Sequence, residues 1–228
     1  MKSSRLVGLL AVMSVAAATP VTASAQAWTD WNSVSPGVFN GVLLGTSVTY
    51  TGNYAGGQLT GSGGVDYFAP TAAYTQGGLI APNAGGNVGF VQLINSSVGT
   101  LTFGSPLTNI YLALISVGQP TYAVTYTFDQ PFTVVSNNNS PNCAFWGCGT
   151  YMQSGNSITG YEFSGTLQFS GTYSSLSIAS DPAENWHGFT VGAAAVTATP
   201  EPASFVLMGT GLAGIAGFAR RRRKNRIA

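Results

Sequence analysis

Tyr122-Ala123-Val124-Thr125-Tyr126-Thr127-Phe128 decides the fold class. In an extended chain Tyr122, Val124, Tyr126 and Phe128 fall on one side and the two threonines on the other, which is the pattern of a strand with one buried face. Leu167 and Phe169 alternate with Gln168 and Ser170, and Leu176 and Ile178 alternate with serines. The same reading predicts strands at 42–50, 88–94, 100–103, 110–116, 132–136, 162–170 and 189–196, separated by breaks rich in glycine and proline. Segment 51–64 reads as an exposed Gly-rich loop or irregular hairpin and 137–141 as a polar loop. No stretch has the period of an amphipathic helix. Seven or more short strands in about 174 residues predict an all-β domain, a single antiparallel β-sandwich of jelly-roll-like form.

Charge separates this domain from the chain ends. The eight lysines and arginines are Lys2, Arg5, Arg220, Arg221, Arg222, Arg223, Lys224 and Arg226, so segment 26–199 has none. Its acids are Asp30, Asp66, Asp129, Glu162, Asp181 and Glu184, a formal charge of −6. Without cations the domain has nothing to neutralise phosphates, which excludes nucleic acid and disfavours anionic lipid headgroups. Solubility must come from serine, threonine, asparagine and glutamine.

Few residues suggest chemistry. Cys143 and Cys148 are the two cysteines, and in an oxidising compartment they predict a local disulfide beside Trp146. His187 is the sole histidine. With Glu184 it makes a conceivable acid/base pair, but no nucleophile or third ligand accompanies them, so a turn before the last strand is the favoured reading. Glu162, Asp181 and Glu184 would have to pair by folding to serve a glycoside hydrolase. Trp28, Trp31, Trp146 and Trp186 read first as packing residues; exposed tryptophans stack on sugar rings, and Trp146 and Trp186 are the candidates for glycan contact. No catalytic residue, metal or cofactor is assigned, and an enzyme is not expected.

The two termini read as signals. Lys2 and Arg5, the apolar stretch 6–18 and the small residues Ala23 and Ala25 make a signal peptide, 1–25, with cleavage by signal peptidase after Ala25 and a second acceptable site after Ala27. The domain then occupies 26–192 and a small, Thr-rich linker 193–199. At the other end Pro200-Glu201-Pro202 precedes an apolar run, 203–219, whose length as a helix is roughly 25 Å, just enough for a thin bilayer. Four glycines weaken that helix. The cluster Arg220, Arg221, Arg222, Arg223, Lys224 and Arg226 would stay cytoplasmic as a stop signal, 220–228, leaving the domain outside.

These three parts, in this order, resemble the PEP-CTERM sorting domain of exopolysaccharide-producing Gram-negative bacteria. The resemblance is confined to the tail, 200–228. It implies transient anchoring in the inner membrane, recognition of Pro200-Glu201-Pro202 by an exosortase, and release to the cell surface. It also implies a biofilm or exopolysaccharide setting. The expectation is therefore an exported surface or matrix protein without catalytic activity; a lectin-like carbohydrate-binding module is the alternative, and a carboxylate-dependent glycoside hydrolase stands behind that.

Overall fold

The computed structural model describes residues 26–84, 88–195 and Gly211. The expected signal peptide and its sites Ala23 and Ala25, the Pro200-Glu201-Pro202 motif, the 203–219 helix and the basic cluster 220–228 lie outside them. Among the described residues no helix is long and apolar enough to cross a membrane.

Thirteen strands follow one another: β1 (Gln26–Trp28), β2 (Asp30–Ser35), β3 (Val38–Leu43), β4 (Thr46–Gly52), β5 (Gly56–Gln58), β6 (Phe90–Leu93), β7 (Ser97–Val117), β8 (Val124–Phe128), β9 (Thr133–Asn137), β10 (Thr150–Ser154), β11 (Ser157–Tyr161), β12 (Phe163–Asp181) and β13 (His187–Ala194). All pairings are antiparallel. The all-β expectation holds, but the strands form one continuous 13-stranded sheet where separate sheets were expected.

Two long strands make this possible. β7 and β12 pair along nearly their whole length, interrupted by bulges at Phe169/Thr172 and Tyr173/Ser175. On one side of the bulges, β7 pairs with β4 and β12 with β8. On the other, β7 pairs with β13 and β12 with β9. A bulge adds an unpaired residue and bends a strand, so the sheet has two arms that share one core. Tyr50 of one arm meets Phe189 of the other at 5.3 Å between ring centres, and Phe128 meets Phe169 at 5.1 Å.

The opening heptapeptide behaves as its alternation requires from Val124 onward: Val124, Tyr126 and Phe128 are buried. Tyr122 departs from the expectation. It is exposed and sits in a tight turn, exchanging backbone hydrogen bonds with Gln119. The stretch 42–50 is not one strand but two, β3 and β4, joined by Leu44-Gly45 with φ of 51° and 79°. Positive φ at both central residues is the hairpin turn that matches strand twist; leucine is unusual there, and it hid the turn. Conversely 100–103 and 110–116 are one strand. Pro106 lacks a backbone donor but lies exposed at the bulged crossover, where β12 pairing skips it. β5 interrupts the expected loop 51–64, and β13 runs through Ala194, past the expected start of the linker.

The two ends of β7 differ in burial. From Ser97 to Phe103 buried and exposed residues alternate largely as on a one-sided strand, whereas Ile110 to Val117 are all buried. Leu112 and Leu114 enter the main core; Ala113 and Ile115 face a second cluster with Phe68, Ala73, Tyr74, Ala81, Phe90 and Ala144. Segment 66–84, irregular apart from two 3-10 turns, thus covers the back of this arm. Tyr67 and Trp186 pack at the margin of that second cluster, and there the candidate site is found.

Candidate functional site

The loop between β9 and β10 is built to present two rings. Ala144 and Gly147 exchange backbone hydrogen bonds of 2.8 and 2.9 Å, leaving Phe145 and Trp146 at the tip. Gly147 has φ of 107°, a region few side chains tolerate. The predicted disulfide is present, Cys143 to Cys148, with Cα atoms 4.1 Å apart. It brackets this tip. Asn138 anchors the loop from below: its Nδ2 donates to the carbonyls of Gly147 (3.1 Å) and Glu162 (2.8 Å), and its Oδ1 accepts from the Ser164 N–H (3.0 Å). The expected polar loop 137–141 therefore contains a fully buried asparagine, because its side chain satisfies backbone groups that water would otherwise serve.

Trp146 lies against Tyr67 in a near-parallel stack, 5.2 Å between centres and 10° between planes. Trp186 packs on Trp146 at 4.4 Å and on Tyr67 at 4.9 Å. Phe145 completes the group beside Tyr67 at 5.1 Å. Trp146 and Phe145 are 41% and 44% exposed, while Tyr67 and Trp186 are half-buried. The two tryptophans singled out as glycan candidates thus come together. The other two do not join them: Trp31 is fully buried with its indole N–H on Thr190 Oγ1, and Trp28 donates to the Ile80 carbonyl. Tyr67 was missed. Its partners Trp146 and Trp186 are distant in sequence, so no local pattern marks it.

A polar group lies behind the aromatic one. His187 opens β13 and is fully buried, contrary to the polar turn residue expected. Its Nδ1 is 2.6 Å from Tyr126 Oη and 4.0 Å from Glu184 Oε2. Burial pushes the ring's pKa down to about 4, with the Asn95 backbone offsetting only part. The histidine is therefore neutral near pH 7, shares a hydrogen bond with the Tyr126 hydroxyl through Nδ1, and forms no ion pair with Glu184. Its Nε2 has no hydrogen-bond partner among the described residues.

Burial also raises Glu184, to about 7; the nearby Glu162 charge adds to this and the Gly118 N–H, 2.9 Å from Oε2, opposes it. Burial raises Glu162 as well, against a hydrogen bond from Ser116 Oγ at 2.6 Å. Asp181 goes elsewhere, accepting from Ser96 Oγ at 2.8 Å on the surface. Of the three candidate carboxylates, folding brings two into electrostatic range and leaves the third apart. Among the described residues no group of three or more His, Cys, Asp or Glu side chains is placed to hold a metal.

Residues 198–224 match the family model of the PEP-CTERM protein-sorting motif. The match includes Pro200-Glu201-Pro202 and the basic cluster through Lys224; Arg226 lies just beyond it. A PEP-CTERM motif implies export, anchoring in the membrane before processing, and processing by an exosortase. It does not extend over the β-domain. No curated protein and no solved structure matches the chain.

Proposed function

We propose that this protein is a non-catalytic component of the Gram-negative cell surface or extracellular matrix, released there after exosortase processing and held to exopolysaccharide by its β-domain. The domain is read as a jelly-roll-like sandwich made by folding one sheet on itself. The observation that carries the binding part is the platform of Tyr67, Trp146 and Trp186, fixed by a disulfide and open to solvent. Aromatic rings held rigid cost little conformational entropy when a flat apolar face docks on them.

The absence of catalysis is inferred from how the carboxylates are held. Glu184 is 4% exposed with an oxygen tied to the Gly118 N–H, and His187 is fully buried. A general acid or base must come within hydrogen-bond reach of its substrate; His187 is closed off from solvent, and Glu184, which reaches the wall of a hollow lined by Gln119, Thr121 and Asn185, has no second carboxylate there to pair with. The test is co-sedimentation of the exported protein with exopolysaccharide from the producing cells. Wild type is expected in the pellet and a Trp146→Ala, Trp186→Ala double variant in the supernatant, with polymer length constant over time. Equal pelleting would refute platform binding, and progressive shortening of the polymer would refute the non-catalytic reading.

A further inference from the structure

The chemical class of the bound glycan follows from the surroundings of the platform. The near-parallel stack covers one face of the Trp146 ring with Tyr67, yet the residue remains 41% exposed, so its opposite face is the open one. The rings touch one another at 4.4–5.2 Å between centres. That spacing leaves no room for a cation between them, so the group is a flat surface and not an ammonium cage.

The charges nearby have one sign. Asp66 precedes Tyr67, and Glu184 lies two positions before Trp186. Asp66 is committed to the Phe68 N–H at 3.0 Å and to the Asn83 amide. No lysine or arginine exists in 26–199 to answer a carboxylate, sulfate or phosphate on a ligand. What the site does offer is neutral hydrogen bonding. Asn185, next to Trp186 in sequence, lines a hollow of about 410 Å³ with Gln119, Thr121 and Tyr122; the one acid on its wall, Glu184, is 4% exposed and holds its proton to about 7. A second hollow of about 320 Å³ lies beside Cys148, with Asn139, Ser140 and Thr150 on its wall. Among the described residues the indole N–H of neither Trp146 nor Trp186 is used internally.

We infer that the platform binds an uncharged polysaccharide, a pyranose ring lying on the open face of Trp146 and its hydroxyls meeting the amides and hydroxyls of the flanking hollows. This rests on the glycan-binding reading above and narrows it: uronate-rich and sulfated polymers are excluded by like charge. Binding of a neutral chain releases no counterions and is insensitive to salt, whereas a charged ligand would not be.

The test is titration of the exported, disulfide-bonded protein with neutral glucan oligosaccharides and with oligogalacturonates of matched length, at low and high salt, followed by tryptophan fluorescence. The expected result is saturable binding of the neutral series, unchanged by salt, and none of the uronates. Trp146→Ala should weaken it by ~10-fold or more, as loss of a central aromatic anchor does, while Trp146→Phe, which keeps a ring and the fold, should retain most of it. Uronates binding as tightly as the neutral series would overturn the inference and leave glycan binding standing. Failure of both series would overturn glycan binding itself.

Discussion

The tryptophans fall into two pairs that use the same side chain in opposite ways. Trp28 and Trp31 spend their indole N–H groups inside the protein, on the Ile80 carbonyl and on Thr190 Oγ1. Trp146 and Trp186 pack only ring against ring and keep theirs unspent. An N–H taken from water must find a partner or cost free energy, and fully buried Trp31 and half-buried Trp28 both find one inside the protein. Trp28 and Trp186 pack on the same second cluster, so what separates the pairs is the indole N–H: in Trp146 and Trp186 it is left for water or a ligand.

That contrast can be broken most decisively at Trp31. Trp31→Ala removes a fully buried ring in contact with Phe39 and leaves Thr190 unpaired. It should cost ~3–5 kcal/mol by denaturant titration, the range for large aromatic-to-alanine changes in a core. Cys148→Ser should cost about 2 kcal/mol or less, the loop-closure entropy of so short a ring. It should reduce glycan binding more than it reduces stability, because its effect falls on the Trp146 tip.

The pH dependence tests the polar group behind the platform. Unfolded, Glu184 ionises near 4.5; folded, it holds its proton to about 7. Its contribution therefore favours the fold at low pH and is lost as pH rises from 4.5 through 7. His187 acts in the other direction: the unfolded ring takes a proton near 6.5 and the folded one only near 4, so stability is lost as pH falls through that window. Between pH 4.5 and 6.5 the two oppose each other, and the wild type should be nearly flat. Glu184→Gln should expose a decline toward acid, and His187→Gln a decline toward neutral pH, both read from urea midpoints. Flat profiles in both variants would refute the assignment. The smallest effect is on stability at the platform: Trp146→Ala should shift unfolding by no more than about 1 kcal/mol.

How far the sequence could be read tracks how local each cause is. Alternation at Val124, Tyr126 and Phe128 is a property of neighbours, and the burial it implies is observed. The disulfide was legible for the same reason. Leu44-Gly45 and Pro106 misled because their roles depend on what lies across the sheet: a hairpin partner in one case, a bulge between two arms in the other. Tyr67 was invisible as a site residue, and His187, though weighed with Glu184, gave no sign of its burial. Tyr67 gains its meaning from loops far along the chain, and His187 from Tyr126 on a strand that β13 does not pair with. The segment Glu184-Asn185-Trp186-His187 shows the limit clearly, since four consecutive residues supply the platform, its polar wall and the buried polar group. The tail was readable because a sorting signal is recognised as a linear stretch, and residues 198–224 match one.

Oxidative footprinting of the exported protein separates tryptophans held out for a glycan, Trp146 and Trp186, from those tied into the fold, Trp28 and Trp31. N-bromosuccinimide oxidation is followed residue by residue by mass spectrometry, with and without a neutral glucan oligosaccharide. Glycan binding at the platform predicts that Trp146 reacts first, that Trp31 reacts only on unfolding, and that the glucan protects Trp146 and Trp186 together while leaving the rate at Trp28 unchanged. Oxidation of Trp146 at the same rate with saturating glucan and with none would contradict it.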